Sequence, residues 1–136
     1  MSLVELPRPL ANQLLQYAQA NNQQEICGII SSKQGTPHHC YPVANTAAEP
    51  QRRFDMDEAQ LISTLRTLRE QNEELFAIFH SHPDAPAEPS AIDLAEDQYP
   101  ETLKLIISLN TTGVLEMRAF NTRNGAVEPV ELILAQ

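Results

Sequence analysis

Two imidazoles and a carboxylate stand close together in this chain. His80 and His82 are one residue apart in His80-Ser81-His82-Pro83, and Asp93 closes Ser90-Ala91-Ile92-Asp93 after a six-residue spacer. Three such ligands are what a catalytic zinc ion takes, with the fourth position left to water. The same set, two histidines and one carboxylate, also suits a non-haem iron oxygenase. Each half has an ordinary explanation. An isolated His-x-His is a common surface pair, and Ser90-x-x-Asp93 resembles a helix capping box with Asp in place of Glu. Together, behind a buried strand, they favour a site.

The elements around them make the convergence possible. Phe76-Ala77-Ile78-Phe79 is a short apolar run that leads straight into His80. It reads as a buried strand, in which residues two apart share a face. His80 and His82 therefore point the same way. Pro83 stops the strand, and Pro86 and Pro89 stiffen the loop that follows. Ser90 opens a short helix over about 91–98, with Asp93 in its first turn.

A hydrolase also needs a base. Asp84 and Glu88 lie on the connecting loop with no reason to point inward, and Asp97 lies near the end of the short helix. Glu25 stands at the edge of Glu25-Ile26-Cys27-Gly28-Ile29-Ile30, an apolar run in which a solvated carboxylate gains nothing from burial. Ser90 can cap its helix or turn its hydroxyl toward a developing oxyanion. There is no His-Glu-x-x-His helix, and the nucleobase deaminase pattern is missing.

At 136 residues the chain is read as a single domain over 1–136, large enough for one core, and its 42% apolar content is ordinary. A formal charge of −9 argues against nucleic acid or an anionic membrane as partner. The N-terminal residues lack a signal-peptide pattern, and no apolar run reaches membrane-spanning length, so a cytoplasmic location is expected. Cys27 and Cys40 form no metal-binding spacing and are expected as free packing residues.

Taken in order, the spacing predicts a helix over 7–22 with Leu10, Leu14, Tyr17 and Ala18 on one face. Strands follow over 25–32 and 38–44. Gly28 marks a bulge or a close backbone approach. His38 and His39, adjacent on a strand, are expected to face opposite ways as surface residues. A polar stretch over 45–53 precedes a long helix over 55–72. That helix is capped at Asp55, carries a Leu61, Ile62, Leu65 and Leu68 stripe, and is expected to end early because Glu70, Glu73 and Glu74 oppose its dipole. Phe54 anchors this helix to the core. Strands over 75–82, 103–110, 114–121 and 126–134 follow, with turns at Thr111-Thr112-Gly113 and at Arg123-Asn124-Gly125. This is an α+β domain, a mixed sheet flanked by helices.

The order and spacing of these residues resemble the JAMM metalloprotease family, also called MPN-plus. His80-Ser81-His82-Pro83 and Ser90-x-x-Asp93 match its metal motif, and Glu25 matches the family's catalytic glutamate on an early strand. The resemblance covers about 4–131. It implies a fold similar to cytidine deaminases, with one zinc ion held by His80, His82 and Asp93. It further implies Glu25 as general base and then acid, and Ser90 as oxyanion stabiliser. Members hydrolyse peptide or isopeptide bonds at the tails of ubiquitin-like proteins. The segments after Asn45 and Asp93 are too short for the ubiquitin-gripping insertions of eukaryotic members. The chain therefore resembles stand-alone prokaryotic members, some of which act on sulfur-carrier proteins. A non-catalytic scaffold of the same fold and an iron oxygenase are the alternative functions.

Overall fold

Seven strands line up in one sheet where six are predicted. The computed structural model describes residues 3–110 and 115–135. In chain order they form β1 (Leu3–Pro7), α1 (Arg8–Ala20), β2 (Cys27–Lys33), β3 (Thr36–Val43), α2 (Glu58–Glu70), β4 (Glu74–His82), α3 (Ala91–Ala95), β5 (Leu103–Ser108), β6 (Glu116–Asn121) and β7 (Glu128–Ala135). The sheet order is β1-β7-β6-β5-β4-β2-β3. The extra strand is β1, which pairs in parallel with β7. It has five residues and ends in a proline, so periodicity alone could not separate it from a leader to α1. The predicted turn at Thr111-Thr112-Gly113, with Val114, lies outside the described residues.

β4 is the interior strand on which the site depends. It runs antiparallel to β2 and parallel to β5, and is buried from Ala77 to His82. Alternation sends Ala77 and Phe79 to one face, where they join Leu6, Leu10, Leu14, Ala18, Leu105 and Ile107 beneath α1. Ile78 goes to the other face, with Ile29 and Leu68 beneath α2. His80 and His82 share this α2 face, as the two-residue period requires.

The predicted face of α1 holds, with Leu10, Leu14 and Ala18 buried and Tyr17 edge-on to Phe79. For α2, the cap is Asp57 rather than Asp55, and its carboxylate accepts from Gln60 N at 2.9 Å. The helix ends at Glu70, leaving Glu73 and Glu74 beyond it. Ile62 departs from the stripe and is 51% exposed, because it sits one residue, hence about 100° of helix, past Leu61. Asn124 and Gly125 both take positive φ in the β6–β7 connection, as their types predict.

Gly28 marks a close approach rather than a bulge. It faces the Tyr41 carbonyl oxygen of β3 and the Phe79 ring of β4. A Cβ here would fall inside contact with the Tyr41 oxygen and 2.6 Å from Phe79 Cζ. Gly28→Ala is therefore expected to lower the unfolding free energy by about 3 kcal/mol. A urea midpoint shift worth less than about 1 kcal/mol would show that β3 yields easily.

The bulges lie further along β2. Ile30 pairs with Cys40 and Ser32 with Pro37, so Ser31 alone opposes both His38 and His39. Ser31 Oγ accepts from His39 N at 3.2 Å. Two residues set against one break the alternation. The two imidazoles therefore do not diverge as expected; their ring centroids are 4.1 Å apart.

Candidate metal centre

The three predicted ligands form a near-equilateral triangle. His80 Nε2 lies 3.1 Å from His82 Nε2 and 3.1 Å from Asp93 Oδ2, and His82 Nε2 lies 3.1 Å from the same oxygen. Both histidines are buried, and the Asp93 side chain is 9% exposed. Ligand atoms at zinc-like bond lengths and tetrahedral angles stand about 3.3 Å apart.

Proton accounting supports a cation at the centre. His82 Nδ1 is 2.8 Å from the Pro86 carbonyl oxygen, which can only accept. Nδ1 therefore carries the proton of the neutral ring, and Nε2 presents a lone pair. Asp93 Oδ2 already accepts from Ser90 N at 2.9 Å. In neutral rings at most one proton, on His80 Nε2, serves the three converging atoms. A metal ion satisfies all three together, and two imidazoles with one carboxylate are a zinc donor set.

Charge follows the same geometry. Burial pushes the Asp93 carboxyl up, but its contacts with His80, His82 and the Ser90 N–H outweigh that and hold it well below the usual range. Burial pulls His80 down. His82 suffers the same penalty, yet its bonds to Asp93 and the Pro86 carbonyl raise it.

Asp93 is placed by a short, well-tied segment. Ser108 Oγ donates to the Ala85 carbonyl at 2.7 Å, and Ala87 is buried against Ile106 and Phe120. α3 covers only Ala91–Ala95, shorter than predicted. It opens with a full capping box, in which Ser90 Oγ accepts from Asp93 N and Asp93 Oδ2 accepts from Ser90 N. The capping and ligand readings of Asp93 therefore coexist. Ser90 caps with an oxygen lone pair, which leaves its hydroxyl proton free to donate.

Glu25 completes the group. Ligand atoms of Glu25, His80, His82 and Asp93 all lie within 4.8 Å of one another. Glu25 precedes β2 instead of sitting on it, and its backbone is clamped on both sides. Its N–H donates to Pro50 O at 2.7 Å, and its carbonyl accepts from Asn45 Nδ2 at 3.0 Å. The carboxylate is buried, and Oε1 has no partner among the described residues. Burial pushes its carboxyl up to about 7; nearby His82 lowers it and Asp93 raises it. The other acids are placed elsewhere. Asp84 and Glu88 are exposed. Asp97 is 3.1 Å from Lys104 Nζ and accepts from Thr122 Oγ1.

Three contributors escaped the sequence reading. Ser81 appears as a mere spacer between the histidines, yet its Oγ accepts from Ile26 N at 2.9 Å and its N–H donates to Ile26 O at 3.0 Å. It ties the residue after Glu25 to the strand that carries both imidazoles. Asn45 holds the Glu25 carbonyl and, through Oδ1, the Ala47 and Asp55 amides. Phe54 packs toward α2 as expected, but its ring also stacks on His80 at 4.4 Å. Cys27 is inert: its buried thiol donates to Val43 O and is pushed up to about 12 by burial and by the charges of Glu25 and Asp55.

Residues 7–122 match the family described as prokaryotic homologs of the JAB domain. This chain belongs to that family. It is 31% identical over 86 residues to a desampylase of Haloferax volcanii, a match covering 62% of each protein. It is 25% identical over 128 residues to a CysO-cysteine peptidase of Mycobacterium tuberculosis, covering 91% of this chain and 87% of that one. The solution structure of a Desulfitobacterium hafniense protein superposes with a TM-score of 0.88 at 26% identity, covering 98% of this chain and 93% of that one. No helix among the described residues is long and apolar enough to cross a membrane.

Proposed function

We propose that the chain is a cytoplasmic zinc metallopeptidase. Its substrate would be a peptide or isopeptide bond at the C-terminal tail of a ubiquitin-like or sulfur-carrier protein. The observation that carries this reading is the 3.1 Å triangle of His80, His82 and Asp93 beside the buried Glu25, whose Oε1 has no partner among the described residues. The activities of the two relatives, a desampylase and a CysO-cysteine peptidase, support the substrate class.

His80, His82 and Asp93 would hold one zinc ion, which when bound supplies Lewis-acid polarisation and a more acidic water. The Glu25 carboxylate then takes the proton of the attacking water and returns it to the leaving nitrogen, a general-base and then general-acid task. The free hydroxyl proton of Ser90 donates to the developing oxyanion. Burial of the two imidazoles and Asp93 keeps these charges in a poorly screened setting.

A cleft of about 470 Å³ adjoins the triangle, lined by Phe54, Met56, His80, Asp93, Tyr99 and Lys104 among others. Its volume suits a slim segment such as a Gly-Gly tail rather than a folded surface. Lys104 Nζ is committed to the Tyr99 and Thr102 carbonyls, Thr122 Oγ1 and Asp97, so the lysine shapes the wall instead of offering a free charge.

The test is mass spectrometry of a ubiquitin-like protein whose Gly-Gly end is joined to a lysine side chain or to a single amino acid. Zinc-loaded wild type is expected to release the tail. Zinc-loaded protein that leaves every such bond intact would sink the peptidase reading and favour a scaffold.

A further inference from the structure

We propose that His38, His39 and Glu73 form a second divalent-metal site, of the class that takes zinc, nickel or copper. It lies at the other end of β4 from His80 and His82. Glu73 immediately precedes the first residue of that strand, and the seven residues from Glu73 to His80 span roughly 20 Å.

The site is built by the irregularity at Ser31. The bulge gathers His38 and His39 opposite one residue of β2. Leu75 pairs with this same Ser31 from the other side, at a second register shift. The turn leaving α2, with Asn72 at φ 59°, brings in Glu73. Ligand atoms of the three side chains lie within 4.8 Å of one another. His39 Nδ1 is 3.2 Å from Glu73 Oε2, the spacing of two atoms bound to one ion.

The carboxylate is prepared in advance. The Glu73 side chain is 1% exposed. Tyr41 OH donates to Oε1 at 2.9 Å, leaving Oε2 directed at the imidazole. Although burial works against it, hydrogen bonds from Ser31, Tyr41 and His39 keep this carboxyl below its ordinary range, so it is an anion at neutral pH. A simple His39–Glu73 hydrogen bond would explain two of the three side chains but gives His38 no role. Two imidazoles and an oriented carboxylate complete a transition-metal set, with open positions for water on the exposed side. Tyr41 plays the outer part common to such sites, fixing the carboxylate from behind. A bound ion would pin edge strand β3 to the α2–β4 corner.

The experiment titrates Zn²⁺, and separately Ni²⁺, into protein already carrying one zinc equivalent, by calorimetry and metal analysis. Wild type is expected to take one further equivalent, with a rise in Tm. His38→Ala and His39→Ala, both at exposed positions, are expected to weaken that event by on the order of 10–100-fold or more, and Tyr41→Phe by about tenfold. Peptidase activity and the first equivalent should be unchanged in His38→Ala and His39→Ala. His80→Ala should lose the first equivalent and keep the second. No further uptake by wild type overturns the proposal, as does uptake that His38→Ala and His39→Ala leave unaltered.

Discussion

Glu25→Gln is expected to lower tail cleavage by about 10²–10⁴-fold while leaving zinc in place and making the metal-free chain more stable. The two effects share one cause. Glu25 is buried, Oε1 has no partner among the described residues, and burial raises its carboxyl from 4.5 to about 7. The folded chain therefore binds this proton more tightly than the unfolded chain does. Stability from the group is complete below pH 4.5 and is lost as pH rises through 7. At pH 8 the ionised carboxylate costs on the order of 3 kcal/mol, which a neutral amide of similar shape avoids. Urea unfolding of both metal-free proteins checks the gain, which should vanish near pH 4. A dication nearby favours the charged form, so the acid limb of kcat/KM for the loaded enzyme should fall below 7, with zinc content followed in parallel. A variant that cleaves as fast as wild type would remove Glu25 from the reaction. One that is dead but no more stable would mean the carboxylate finds a partner in solution.

What was legible in the sequence followed from local rules. A strand alternates, so His80 and His82 had to share a face. A proline-stiffened loop ending at a serine had to begin a helix near Asp93. Glu25 was visible as an acid where burial offers a solvated carboxylate nothing. Its support was not visible, because Asn45, Pro50 and Ser81 lie far along the chain and bond to backbone groups of Glu25 and Ile26. Ser81 illustrates the difficulty: its hydroxyl matters only once β4 lies beside the residues that follow Glu25. β1 failed for a similar reason, since its partner β7 lies at the other end of the chain. His38 and His39 converge through a bulge, which depends on register, and register depends on which strands meet. Local periodicity thus reached His80, His82 and Asp93, while long-range pairing decided how they are held.

Asp93→Asn should also abolish cleavage, but by the opposite physical route. Its carboxylate is held by three contacts, two imidazoles and the Ser90 N–H, and ionises far more readily than usual despite burial. Stability from such a group is present above the unfolded value of 3.8 and is lost as pH falls through the folded one. The metal-free variant is therefore expected to be less stable than wild type at neutral pH, with the difference shrinking on acidification. Asparagine keeps an oxygen that can accept from Ser90 N, so the capping box of α3 survives and far-UV circular dichroism should not change. The lost anion removes one of the three proposed metal ligands, and zinc affinity should drop by on the order of 100-fold or more. In a His38→Ala background, which removes the second proposed site, added zinc should then raise the Tm of the parent and of Glu25→Gln but not that of Asp93→Asn. Asp93→Ala also removes the acceptor of the Ser90 N–H, one of the two bonds of the capping box, and should cost about 1 kcal/mol more. Two inactive variants that move metal-free stability in opposite directions separate a proton-transfer carboxylate from a metal-binding one. Zinc bound to Asp93→Asn in that background as tightly as to its parent would mean that the 3.1 Å triangle is a hydrogen-bonded cluster and not a metal centre.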